Sequence, residues 1–150
     1  MPDCAFCRIA DGSQPARIVY EDDATLAFLP LDPATDGHVL VMPRRHVQDI
    51  WGLDNTTATA LTRATLRLAH AVRAAFRPGG LNIINSSGTA ATQTVMHVHV
   101  HVVPRTEGDR MGRIWPPPAA RDTDLLDATA DRLRAAVAQT SADGGGQQDG

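Results

Sequence analysis

The spacing of apolar positions changes period several times along this chain. Arg17-Ile18-Val19-Tyr20-Glu21 and the run from Ala24 to Leu29 are two short extended segments on either side of Asp22-Asp23, which is the signature of a hairpin. Pro30, Pro33 and Gly37 then break the chain. His38-Val39-Leu40-Val41-Met42 is a third strand, and its unbroken apolar middle is that of a strand covered on both faces; Pro43 stops it. From 56 to 77 the period is helical: Leu61, Ala64, Leu68, Val72 and Phe76 share a stripe, with Asp54 or Asn55 as N-cap. Arg63, Arg67, Arg73 and Arg77 lie off the stripe, on a solvated face. Pro78-Gly79-Gly80 ends that helix.

Leu81 to Asn85 is a fourth strand, a small polar loop follows over 86–94, and Val95 to Val103 is the fifth strand, closed by Pro104. Asp122 or Thr123 caps a last helix whose inner stripe is Leu126, Ala130, Leu133 and Val137. Near the N-terminus, Phe6, Ile9 and Ala10 line a short helix. Five strands joined mostly by tight turns, with one long helix crossing between the third and fourth, give an α+β class with an antiparallel sheet. The expected organisation is one domain over 1–139 and a flexible tail over 140–150, rich in Gly, Gln and Asp.

Composition narrows the chemistry. At 150 residues the chain makes one domain that buries roughly 70% of its unfolded surface, so it needs no disulfide staples. A net charge of -3 gives no basic excess to call for nucleic acid. All 14 basic residues are Arg, which removes P-loop, Schiff-base and Ser-Lys chemistries. None of the four serines sits in a G-x-S-x-G elbow. Aromatics at 4% are too few for a base-stacking platform. No run has the length of a membrane span and no signal peptide opens the chain, so the cytosol is the expected compartment, with Cys4 and Cys7 reduced.

Three of the six histidines alternate with valine in Met96-His97-Val98-His99-Val100-His101-Val102. On a strand they share one face at a spacing of roughly 6.5–7 Å, with Met96, Val98, Val100 and Val102 towards the core. Packing alone gives no reason for three imidazoles in a row. Two chemistries fit: a chelating His-x-His pair in a metallohydrolase, which needs further ligands and an open coordination position, or covalent catalysis by one histidine tuned by its neighbours.

The run from His97 to Val103 resembles the histidine-triad (HIT) motif, His-φ-His-φ-His-φ-φ with φ apolar. The resemblance extends in order through Cys4-x-x-Cys7, Val19-Tyr20-Glu21-Asp22, Gly37 to Pro43, Arg45-His46 and Gln93-Thr94-Val95. It implies a nucleotide hydrolase or transferase, a homodimer, and a five-stranded antiparallel sheet in each protomer. The pattern is most similar to the Hint branch, which hydrolyses purine nucleoside phosphoramidates such as AMP linked to an amine. The stretch from His97 to Arg105 is also similar to the Fhit branch, which cleaves dinucleoside polyphosphates. A non-catalytic nucleotide-binding protein is the further alternative.

The resemblance carries roles onto individual residues. His99 is the expected nucleophile, its Nδ1–H held by an acceptor so that Nε2 is free. His101 is expected to bond the bridging or phosphoryl oxygen, and His38 to support the same pocket. Gln93 and Thr94 are expected at the phosphate or leaving group, and Asn85 in the substrate site. Pro30 stands eight residues before His38, where the family's Asp or Asn binds ribose; Asp32 is the substitute on offer. Thr92-Gln93-Thr94 stands where Gly-Gln-Ser is common. Cys4, Cys7, His46 and His97 resemble the closed structural zinc site of bacterial Hint-like members, which takes His97 out of the catalytic row. Trp115-Pro116-Pro117-Pro118 resembles the Hint segment that meets the partner's pocket. His70, on the long helix, is read as surface or satisfied core.

Overall fold

The structure, a computed structural model, describes residues 3–140. Of the tail expected over 140–150, all but Thr140 lies outside the described residues. Ten elements run in order, two of them single 3₁₀ turns. The strands are β1 (Ile18–Glu21), β2 (Thr25–Phe28), β3 (Val39–Pro43), β4 (Gly80–Ile84) and β5 (Val100–Arg105). They form one sheet in the order β1-β2-β3-β5-β4, with every neighbouring pair antiparallel. The helices are α1 (Ala5–Ala10), α2 (Asn55–Phe76) and α3 (Thr123–Gln139).

β3 is buried along its whole length because both of its faces are covered. Val39 and Val41 point to one side, where α2 lays Leu61, Ala64, Leu68 and Val72 over them together with Ala27 and Val102. Leu40 and Met42 point to the other side, into a smaller cluster with Leu26, Phe28 and the α1 residues Phe6 and Ile9. The period-2 rule of strands thus splits one apolar run between two layers. α2 begins where Asp54 accepts a hydrogen bond from the Thr57 N–H, and it ends at Arg77 in the left-handed conformation before Pro78. Phe76, placed by its spacing on the buried stripe, is largely exposed, although its ring lies against Gly37. Gly37 has φ +89°, and a side chain there would drive into that ring.

Two expectations are corrected. The fifth strand begins at Val100, not Val95. β3 leaves the sheet at Pro43, and the Val98 N–H instead donates to Val47 O in the loop beyond it, so residues 95–99 run outside the regular ladder. Met96 accordingly is 37% exposed rather than core, while Val98 and Val102 are buried as their alternation requires. The supposed inner stripe of α3 has no cover: no α3 residue is buried, and Leu126, Leu133 and Val137 are all exposed. The amphipathic pattern is real, but among the described residues no element buries it.

Candidate active site

β5 opposes β3 with Leu40 paired to His101 and Val39 to Val102. His101 therefore shares the α1 side of the sheet with Leu40, and Val102 goes under α2. The Val-His alternation separates core from chemistry in this way. His99 and His101 have ring centroids 5.0 Å apart, and His38, just before β3, lies 5.1 Å from His101. The working row is His99, His101, His38. His97 has turned away from it and faces His46 at 5.2 Å.

Hydrogen-bond partners define the tautomers. The backbone N–H of Ala34 donates to His38 Nδ1 at 3.0 Å, so the proton of neutral His38 is on Nε2. That Nε2–H donates to His101 Nδ1 at 2.9 Å, which leaves His101 with its own proton on Nε2. His99 Nδ1–H donates to the carbonyl of His97 at 2.7 Å, so His99 Nε2 carries a free lone pair. A backbone carbonyl thus holds the middle histidine. Burial lowers the pKa of His38 and of His99, and burial together with the nearby His99 and His38 pushes His101 down to about 4. All three imidazoles are neutral at pH 7: one lone pair and one N–H donor stand side by side.

These groups open into a cavity of about 780 Å³. Phe6, Ile9, Phe28, Leu29 and Leu40 line its apolar part, and His38, His99 and His101 lie at its polar end. Among the expected substrate residues, Asp32 and Thr94 line this cavity. The Asp32 carboxylate is 92% exposed and has Arg110 at 3.9 Å. Pro30 also lines the wall, without a side-chain donor or acceptor.

Asn85 and Gln93 are placed differently from expectation. Gln93 is buried, with Oε1 accepting from the Gly88 N–H and Nε2 donating to Gln48 O and Val95 O; it shapes the polar loop and does not line the cavity. Asn85 lies on the α2 side of the triad segment and donates its amide to the His99 carbonyl at 2.9 Å. Its part is to hold the backbone at His99. The apolar wall was not read as a site from the sequence. Phe6 and Phe28, two of only three phenylalanines, meet edge to face at 5.2 Å, and Phe6 meets His99 in the same way at 5.1 Å. The scarcity of aromatics was the available signal.

Cys4, Cys7, His46 and His97 bring one ligand atom each to within 4.8 Å of one another. Cys7 Sγ is 3.3 Å from His46 Nδ1 and 3.5 Å from His97 Nδ1, and Cys4 Sγ is 3.5 Å from His97 Nδ1. Bonds of about 2.0–2.3 Å to a central ion put tetrahedral neighbours at roughly these separations, so the four donors fit zinc. His97 Nε2–H donates to Pro43 O at 2.8 Å, which leaves Nδ1 as the donor atom and supplies the outer partner that metal-bound histidines usually have. Burial and the neighbouring Cys4 push the Cys7 thiol up to about 11, the balance a bound cation reverses.

The profile of the HIT domain matches residues 11–108. The protein Hit of Bacillus subtilis is 40% identical over 113 residues, covering 75% of this chain and 78% of that protein. Adenylylsulfatase HINT3 of Arabidopsis thaliana is 31% identical over 136 residues, covering 90% of this chain and 68% of that one. Among solved structures, SMU.412c of Streptococcus mutans superposes with TM-score 0.86 at 39% identity, over 91% of this chain and 87% of that one. A zinc-bound histidine triad family protein of Mycobacterium smegmatis superposes with TM-score 0.69 at 37% identity, over 89% of this chain and 97% of that one. HIT proteins are generally nucleotide hydrolases or transferases, and this chain belongs to the HIT family.

Proposed function

We propose that this protein hydrolyses purine nucleoside phosphoramidates of the AMP–amine kind through a nucleotidyl-His99 intermediate. The observation that carries the reading is the aimed lone pair on His99 Nε2, fixed by the 2.7 Å bond from Nδ1–H to the His97 carbonyl. It stands at the end of an apolar cavity that suits a purine. Nε2 attacks the α-phosphorus; the P–N bond to His99 forms as the bond to the leaving amine breaks. The His101 Nε2–H hydrogen-bonds the bridging atom or a phosphoryl oxygen, and His38 keeps that proton on Nε2. Water then displaces His99, releasing the monophosphate and restoring the imidazole; the proton that the departing amine took from His101 Nε2–H is replaced by one from this water. With no Lys in the chain, developing charge falls to imidazole N–H donors and to Arg17, which lines the same cavity.

Asp32 and Thr94 complete the reading on the ribose and phosphate sides. Cys4, Cys7, His46 and His97 would hold a structural zinc with no open coordination position, tying α1 and the segment after β3 to the triad. A homodimer agrees with the other face of the protomer. Beside β4, which pairs only with β5 among the described residues, a second cavity of about 380 Å³ is lined by Ile50, Leu53, Ile83, Val98 and Val100. Ile50 and Ile83, both lining it, are exposed, as apolar residues of an interface are in the separated chain.

The test is single turnover of an AMP–amine substrate with rapid quenching. A nucleotide adduct on His99, and loss of turnover in a folded His99→Ala variant, is the expected result. Undiminished turnover in His99→Ala would sink the proposal. Pro30 on the cavity wall favours one second reading, a nucleotide binder without hydrolysis, because it removes a ribose contact. Tight AMP binding with no adduct and no turnover selects it. Comparing kcat/KM for AMP–amine and dinucleoside polyphosphate substrates decides between the two hydrolase readings.

A further inference from the structure

The Cys4–Cys7 helix does more than close a metal site. α1 has only six residues, too few to be stable alone. Its N-cap is Cys4 and Cys7 lies in its first turn, so both thiols of the cluster belong to this one helix. The same helix supplies Ala5, Phe6 and Ile9 to the wall of the large cavity. Phe6 is the link: its ring meets His99 at 5.1 Å, Phe28 at 5.2 Å and His97 at 6.0 Å, each edge to face. A second link runs through the backbone, because the residue that offers Nδ1 to the cluster, His97, also offers its carbonyl to His99 Nδ1–H. Two short paths therefore join the four-donor cluster to one imidazole.

We propose that the Cys4/Cys7/His46/His97 cluster and the nucleotide cavity are energetically coupled, metal binding holding α1 so that Phe6 closes the cavity wall and His99 stays aimed. Phe6 is a positioning residue for His99 and a contact surface for the base. The proposal rests on the nucleotide reading given above. Coupling of this kind is reciprocal: whatever nucleotide binding gains from a loaded cluster, metal binding gains from a filled cavity.

The experiment uses the full-length, zinc-loaded chain with AMP as probe. Zinc affinity is measured by competition against a chelator of known affinity, with and without saturating AMP, and AMP affinity by calorimetry. AMP is expected to raise zinc affinity about tenfold, within the usual range of coupling between sites. Phe6→Ala is expected to keep one zinc per chain, to lose AMP affinity by about the same factor, and to abolish the effect of AMP on zinc; Phe6→Leu restores part of both. In parallel, nitrogen-edited NMR follows the His99 Nδ1–H. It is expected to be protected in the loaded protein, to remain so in Phe6→Leu and to exchange rapidly in Phe6→Ala. AMP that binds without changing zinc affinity overturns the coupling, as does a Phe6→Ala protein that binds AMP like the parent. If AMP does not bind the loaded protein at all, the nucleotide reading falls, and the protection of His99 in the Phe6 variants alone decides the coupling.

Discussion

His38 never needs to touch the substrate to matter, and this makes its replacement a sharp test of the relay. In His38→Phe the ring volume is kept but both hydrogen bonds go: the one accepted from the Ala34 N–H at 3.0 Å and the one donated to His101 Nδ1 at 2.9 Å. His101 is then free to carry its proton on Nδ1, which withdraws the donor from the cavity. A neutral hydrogen bond is worth about 0.5–1.5 kcal/mol net, so losing the one that biases this tautomer lowers kcat by about two- to tenfold. The ceiling is the roughly 10²–10⁴-fold effect of removing an acid–base group altogether. The Ala34 N–H and His101 Nδ1 also lose their partners, at about 1–3 kcal/mol for each group if it stayed dry; Ala34 is only half-buried and Phe adds apolar burial, so the net loss of stability is about 2 kcal/mol. His38→Gln, which retains an amide donor, is expected to lose less kcat than His38→Phe. The assay is steady-state release of amine from an AMP–amine substrate, with urea unfolding alongside. A His38→Phe enzyme with undiminished kcat, or one whose whole loss appeared in KM, would refute the tautomer argument.

Other outcomes follow from the same geometry. His101, at about 4 in the fold, and His38, also lowered by burial, bind fewer protons than in the unfolded chain, where imidazole titrates near 6.5. Their contribution to stability is complete above about pH 6.5 and is lost as pH falls towards about 4, so the urea midpoint drops across that window; a midpoint flat from pH 7 to 4.5 contradicts this. Removing zinc with a chelator is expected to lower the melting temperature, as loss of a closed structural site requires, and to weaken AMP binding through the coupling proposed above. Activity lost while the melting curve is unchanged would instead mark a catalytic metal. Leu68, buried on α2 in the main core cluster, is expected to cost about 2–5 kcal/mol as Leu68→Ala while zinc stoichiometry holds, measured by urea unfolding and metal analysis. If the proposed homodimer uses the exposed edge strand β4, Ile83→Asp is expected to be monomeric in light scattering where the parent is dimeric, with a dimeric variant counting against that interface.

Much of this protein was legible in one dimension because its signals are periodic. The helical stripe from Leu61 to Val72, the hairpin around Asp22 and the unbroken apolar run of β3 each depend on neighbours a few residues away, and each formed as its spacing required. The resemblance to the triad motif was carried by seven consecutive residues and needed no geometry. The direction in which each imidazole would point was not contained in that run. His97 leaves the row because β3 ends at Pro43, whose carbonyl takes its Nε2–H, and because two thiols from α1 gather at its Nδ1. Gln93 turns to backbone groups and Asn85 to the back of His99, choices made by partners 45 and 14 residues away. The stripe on α3 shows the same limit from the other side: the pattern dictated a helix, and only the fold decided that nothing among the described residues would cover it. Sequence sets local period and chemical inventory; which donor meets which acceptor depends on chain segments brought together by closing the sheet, and that pairing made three similar histidines into a lone pair, a donor and a member of the four-donor cluster.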